Sequence, residues 1–246
     1  MILMAYWGCD GTSTAYPSGC SKDFYIGQSG YGNVAPNFPA WNPTVASEAS
    51  IIVYTYWMVW GPGPDPVYKS NPSGYTASDA NAWGKQQAEQ ANNGIGMVTD
   101  QGPVPAVGLT LWADIEGGSG NGWVSNTALN TQVLIGFNDY LASVGVTPGV
   151  YSGLCLWSGI MGTTKLADVN CQYSWTKNYS WGSGQPDPCS SLTFGPKIDV
   201  TCTQSGNYVM AQSIDQAQAP TFWQYTQDYN YDSHIQDWDM AIELVR

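Results

Sequence analysis

Gly108-Leu109-Thr110-Leu111-Trp112-Ala113-Asp114-Ile115-Glu116 runs apolar, β-branched and aromatic until it reaches two carboxylates, and it stops at Gly117-Gly118. That composition predicts a strand ending at the carboxylates. After a glycine-rich loop, Leu129, Val133, Leu134, Phe137, Leu141 and Val144 recur at helical spacing. Residues 126–144 are therefore predicted as a helix, closed by Gly145. Gly149-Val150-Tyr151-Ser152 then returns to strand character. Strand, helix and strand in this order make a unit that builds a parallel sheet.

The same alternation extends in both directions. Upstream, residues 4–10, 24–30 and 51–60 are strand-like, and Gly61-Pro62-Gly63-Pro64-Asp65-Pro66 breaks the chain after the third. Residues 76–93 have helical spacing in Ala80, Trp83, Gln87 and Ala91, with Ser78 as the expected cap and Gly94 as the expected stop. Downstream, strand character reappears at residues 208–214, 221–225 and 235–244. Residues 155–205 hold four of the six cysteines and much Gly, Ser and Pro, and read as an elaboration. The length leaves room for about eight strand–helix units. The expectation is one α/β domain over residues 1–246, a partly irregular (β/α)8 TIM-type barrel with a disulfide-containing elaboration near 155–205. A doubly wound open sheet is the alternative, but no GxGxxG or GxxxxGK[ST] loop accompanies it.

Charge narrows the function. Lys and Arg total 7 against 19 Asp and Glu, giving a formal net charge of −12. A binder of nucleic acid needs a basic surface, and so does a protein drawn to anionic lipid, so neither partner is expected. His234 is the only histidine, which excludes multi-histidine zinc sites and leaves triads few options. The late acidic run Asp228, Asp232, Asp237 and Asp239 does not follow a calcium-loop pattern, so neither metal nor other cofactor is expected. Cys9, Cys20, Cys155, Cys171, Cys189 and Cys202 form no CxxC pair. Together with the Asn178-Tyr179-Ser180 sequon they suit an oxidising, secreted setting. The start Met1-Ile2-Leu3-Met4 reads as that of a mature chain, and no run of about 18 apolar residues is available to span a membrane. The protein is expected to be a secreted monomer.

Asp114 and Glu116 are two apart on a strand, so both side chains project to one face with Cα atoms ~6–7 Å apart. At the carboxyl end of a barrel strand they would enter the mouth where sites of that fold lie. Two neighbouring carboxyls cannot both ionise freely, and the one that keeps its proton is prepared as a general acid. Glycosidic cleavage uses such an acid with a second carboxylate. Asp10 ends the first strand and Asp237 or Asp239 the last; in a closed barrel these are neighbours. Tyr25, Trp57, Tyr151, Trp223 and Tyr225 lie near strand ends, where rings can stack on sugar faces. In Trp223-Gln224-Tyr225 the alternation sends the two rings to one side and Gln224 to the other.

Tyr6-Trp7-Gly8-Cys9-Asp10, Phe24-Tyr25-Ile26-Gly27, Leu111-Trp112-Ala113-Asp114-Ile115-Glu116, Pro148-Gly149-Val150-Tyr151-Ser152, Trp223-Gln224-Tyr225-Thr226 and Asp237-Trp238-Asp239 occur in an order that resembles glycoside hydrolase family 25 lysozymes. Tyr25-Ile26-Gly27-Gln28 is closer to the related secreted glycoside-hydrolase-like proteins. The resemblance covers residues 1–155 and 220–246. It implies a partly irregular (β/α)8-type barrel that cleaves β-1,4 links between N-acetylmuramic acid and N-acetylglucosamine. It further implies Glu116 as general acid, Asp114 as the group that steadies the substrate acetamide, and Asp10 beside them. Asp232, Asp237 or Asp239 would complete the cluster, and Tyr151 and Trp223 would line the groove. The expected partner is a cell-wall polysaccharide; a non-catalytic sugar-binding protein and a glycosidase for chitin or another polymer are the competing expectations.

Overall fold

The structure, a computed structural model, describes residues 6–11, 24–32, 52–63, 76–99, 110–117, 121–177, 198–199, 210–211, 221–224, 229–231 and 234–241. Six strands come first: β1 (Tyr6–Gly11), β2 (Phe24–Tyr31), β3 (Ile52–Met58), β4 (Thr110–Asp114), β5 (Thr147–Gly153) and β6 (Tyr173–Lys177). They pair in parallel, each with the next. Between them lie α1 (Ala77–Thr99), α2 (Thr127–Ser143) and α3 (Leu154–Met161). Short strands β7 (Ile198–Asp199) and β8 (Met210–Ala211) pair only with each other. β9 (Phe222–Gln224) joins β6 in parallel, and β11 (His234–Ala241) runs antiparallel to β9, to β10 (Tyr229–Tyr231) and to β1.

The order of hydrogen-bonded neighbours thus returns from β11 to β1. The expected eightfold repeat is met in part. The parallel α/β run is as expected, whereas the last ladders are antiparallel, and three helices lie among the described residues.

Both faces of the central strands are buried, which explains why β4 reads as nearly continuous apolar sequence. Leu111, Ala113 and Ile115 pack with Val133, Leu134 and Phe137 of α2 on the helix side. Trp112 turns the other way, into a cluster with Phe24, Tyr54, Trp175 and Phe222. Ring centroids there lie 4.9 Å apart for Phe24 and Phe222, 5.3 Å for Tyr54 and Phe222, and 5.0 Å for Trp112 and Phe222, all edge-on. A ring from β9 can touch rings from β2, β3 and β4 only if the sheet curls around it.

The chain corrects three local expectations. Thr76, not Ser78, caps α1: the Thr76 amide and hydroxyl donate to Asp79 Oδ2 at 3.0 and 2.7 Å, and the Asp79 amide donates back to Thr76 Oγ1 at 3.2 Å. These bonds hold the exposed Asp79 carboxyl below its ordinary range, the backbone contact contributing most. α1 also continues through Gly94 to Thr99. Finally, the described part of the expected 155–205 elaboration, up to Lys177, is regular structure. Leu154–Met161 is helical, a 3-10 turn spans Leu166–Val169, and β6 follows, so this segment is another strand–helix unit. Its apolar residues Trp157, Ile160, Leu166 and Val169 pack into the helix-side core, which outweighs the local Gly and Ser content. The expected disulfide pairing falls outside the described residues. Of the six cysteines only the side chain of Cys171 is described; it is buried, with Sγ 3.4 Å from Pro148 O and 3.2 Å from Tyr173 O. Among the described residues no helix is long and apolar enough to cross a membrane.

Helices α1 and α2 meet through two glycines. A Cβ on Gly84 would stand 1.8 Å from Val133 O, and one on Gly136 2.0 Å from Asn81 O. Alanine usually favours a helix interior over glycine by ~1 kcal/mol, so the two effects oppose each other at this site. Overpacking costs about 1–3 kcal/mol; less the helix-propensity gain, G84A is expected to lower the melting temperature by up to roughly 8 °C, at 2–4 °C per kcal/mol for a chain of this size. A rise in melting temperature would show that the helices part without cost.

Candidate active site

Because β1 to β6 and β9 are parallel, their carboxyl ends share one rim. Asp10 is next to last in β1, Asp114 ends β4, Tyr151 lies late in β5, Lys177 ends β6 and Gln224 ends β9. Alternation decides which side chains turn inward there. On β4 the inward series is Trp112, Asp114 and, just past the strand, Glu116, opposite to the outward Leu111, Ala113 and Ile115. On β9 it is Phe222 and then Gln224.

Tyr151 stands at the centre. It is in register with Asp114 across the β4–β5 ladder. Its hydroxyl donates to Gln224 Oε1, and Gln224 Nε2 donates to Asp10 Oδ1 at 3.0 Å. Tyr151, Gln224 and Asp10 are 6%, 1% and 5% exposed, so this chain of hydrogen bonds is a dry one. The Tyr151 ring packs on Trp175 at 4.2 Å between centroids. Lys177 Nζ lies 5.6 Å from the same ring's centroid and pairs with Glu116 Oε1.

The carboxyls differ in setting. Asp114 is 3% exposed, and its Oδ1 has no hydrogen-bond partner among the described residues. Burial first, and the charge of Glu116 second, push its pKa well above the ordinary 3.8, while Lys177 opposes the shift. Asp114 is therefore the group that keeps a proton. Glu116 is more open, with 26% of its side chain exposed, and it sits at the mouth.

The structure thus brings Asp10, Asp114, Glu116 and Tyr151 to one rim. Two expected sugar-contacting rings are placed elsewhere. Trp57 is fully buried in the helix-side core, its indole donating to Gly32 O at 2.9 Å. Tyr25 is 1% exposed, on the pleat opposite to Phe24 and Ile26, which line the interior. Both corrections have one cause: the strand side that carries these rings faces the helices or the outer core, not the mouth. Tyr225 and Asp232 lie outside the described residues, as do the side chains of Trp223, Asp237 and Asp239. The backbone register sets Asp237 opposite Asp10 and Asp239 opposite Gly8.

Sequence reasoning missed Lys177 and Gln224. Gln224 was legible, since the same alternation that pairs Trp223 with Tyr225 pairs Gln224 with Phe222. Lys177 had a weaker signal, a basic residue closing the aromatic alternation Tyr173-Ser174-Trp175-Thr176-Lys177 in a chain with only 7 basic residues.

No protein-family model matches the sequence, and comparison with curated proteins gives no match. Solved structures do match. A muramidase from Trichobolus zukalii aligns with TM-score 0.53 at 19% identity, over 95% of this chain and 92% of that one. A family GH25 lysozyme from Aspergillus fumigatus aligns with TM-score 0.55 at 13% identity, over 97% and 94%. The modular autolysin LytC from Streptococcus pneumoniae, in complex with a synthetic peptidoglycan ligand, aligns with TM-score 0.52 at 13% identity, over 96% of this chain and 46% of that one. The chain has the fold of family 25 lysozymes.

Asp114 makes stability depend on pH. The folded state keeps a proton that the unfolded chain releases above the ordinary value of 3.8, so its contribution to stability declines as pH rises from there until Asp114 ionises in the fold. D114N is expected to melt higher than the wild type at pH 7, by roughly 2–4 °C for each kcal/mol relieved, with the gap closing below the ordinary carboxyl value. Thermal unfolding across pH checks this; parallel curves for the two proteins would place the buried proton elsewhere.

Proposed function

We propose that this protein is a secreted glycoside hydrolase acting on β-1,4 links of an amino-sugar polymer, peptidoglycan first. In this reading residues 1–246 form one (β/α)8-type barrel domain, working as a monomer. The observation that carries it is the convergence of Asp10, Asp114 and Glu116 with Tyr151 on one rim, with Glu116 the open member of the set. The fold shared with muramidases adds to that.

The chemistry follows from the settings of the carboxyls. Glu116 is the more open carboxyl and the one assigned to reach a glycosidic oxygen; once parted from Lys177 it takes up a proton from solvent and delivers that proton to the leaving sugar. Asp114, kept neutral by burial beside it, donates a hydrogen bond from its own carboxyl to the substrate acetamide. Asp10 stays fixed by Gln224 Nε2 and supplies negative charge toward the positive ring of the transition state. Tyr151, Trp223, Tyr225, Asp237 and Asp239 are assigned to the sugar-binding groove.

A second reading, sugar binding without turnover, is favoured by one contact: Lys177 occupies Glu116 Oε1. One assay separates the two. E116Q is expected to reduce release of reducing sugar from peptidoglycan by about 10²–10⁴-fold, the range for loss of a general acid, with the melting temperature nearly unchanged. Product mass spectra on peptidoglycan and chitin identify the bond cut. A wild type that binds glycan but yields no product after long incubation supports the second reading, and an E116Q protein as active as wild type removes Glu116 from the mechanism.

A further inference from the structure

Lys177 lies on a strand that the sequence did not announce, yet the fold makes a berth for it. Gly153 is its register partner on β5. A Cβ at Gly153 would be 3.3 Å from Lys177 Cγ and 3.4 Å from Cε, so the bare backbone there gives the lysine stem a floor to lie on. The stem crosses β5 on that floor and delivers its ammonium to the far side, over the Tyr151 ring and against Glu116 of the β4 end. Among the described residues, Lys177 is the one positive charge at this rim. Three carboxyls share the rim with it: Glu116 in direct contact, Asp114 on the same strand end, and Asp10 held through Gln224.

A cation so placed offers a neutral sugar hydrogen bonds alone. It would attract a sugar that carries a carboxylate, in a chain whose net charge of −12 otherwise repels one. The present partner is within reach of exchange: Lys177 and Glu116 keep 20% and 26% side-chain exposure, and a ligand carboxylate that replaces Glu116 gives Lys177 a charge-assisted contact of the same kind.

We infer that Lys177 is a specificity residue for an acidic glycan: it exchanges Glu116 for a carboxylate on the sugar beside the scissile bond, and the ligand thereby frees Glu116. The second half rests on the hydrolase reading above; the carboxylate preference stands on binding alone.

The test titrates wild type, K177M and K177R by calorimetry with a soluble tetrasaccharide of alternating N-acetylglucosamine and N-acetylmuramic acid, and with the same tetrasaccharide as its methyl ester. Wild type is expected to bind the acid form about tenfold more tightly than the ester, equivalent to about 1.4 kcal/mol. K177M, which keeps the stem and loses the charge, should bind both forms alike, and K177R should restore the preference. Equal affinity for acid and ester in wild type overturns the inference without need of any variant, as does a preference that survives in K177M, or no binding of either form. Mass spectra of the same mixtures separate the two readings. Acid-selective binding with no cleavage of any glycan leaves the carboxylate site standing and removes the hydrolase. Cleavage with an unchanged preference in K177M does the reverse.

Discussion

The contact on which the site depends is the ring of Phe222, held edge-on by Phe24, Tyr54 and Trp112. Each such pair contributes roughly 0.5–1.5 kcal/mol beyond the area it buries, but its geometric effect matters more here. β9 is three residues long and enters the sheet late in the chain. With Phe222 seated among rings from β2, β3 and β4, the strand has one orientation, and Gln224, two residues on, must then point to the same interior one layer higher. That is where it meets Asp10, 214 positions away in sequence. A site assembled from β1, β4, β5, β6 and β9 therefore exists because an aromatic interior fixes how the sheet curls.

Charge at the rim is arranged by depth. Asp114 lies deepest of the DxE pair and is neutral through burial and the nearby charge of Glu116. Asp10 is also buried but accepts a hydrogen bond from the Gln224 amide. Glu116 is outermost and faces a cation. Three carboxyls can share a small space because each meets a different surrounding: apolar walls, an amide donor and an ammonium.

Most of the parallel run was legible in the sequence. β4, α2 and β5 have unambiguous periods, and Asp114 and Glu116 could be assigned to one face from spacing alone. Asp10 followed from its place at the end of the first strand. Burial on both faces is what defeated the aromatics. When a strand is covered by helices on one side and packed rings on the other, period-two alternation gives the two faces but does not say which is the mouth, so Trp57 and Tyr25 went to the wrong one. Residues 154–177 failed for another reason: Gly, Ser and cysteine content suggested a loop, and the apolar positions that pack α3 and β6 against the core were too sparse to outweigh it. Lys177 was lost with that segment.

The two hydrogen-bonded systems that meet at Tyr151 differ in what they can do. The phenol, Gln224 and Asp10 are buried and hydrogen-bonded in series, so bulk water has little access to replace a broken link. That side is rigid by construction and suits a group that must stay where it is while a transition state forms. The Lys177–Glu116 contact is partly open, so water or a ligand group can reach either partner. It sits against the same ring but on the solvent side. In the proposed hydrolase a glycan arriving from solvent would meet the exchangeable pair before the fixed one, and the movable charge would be the element of this rim that it resets.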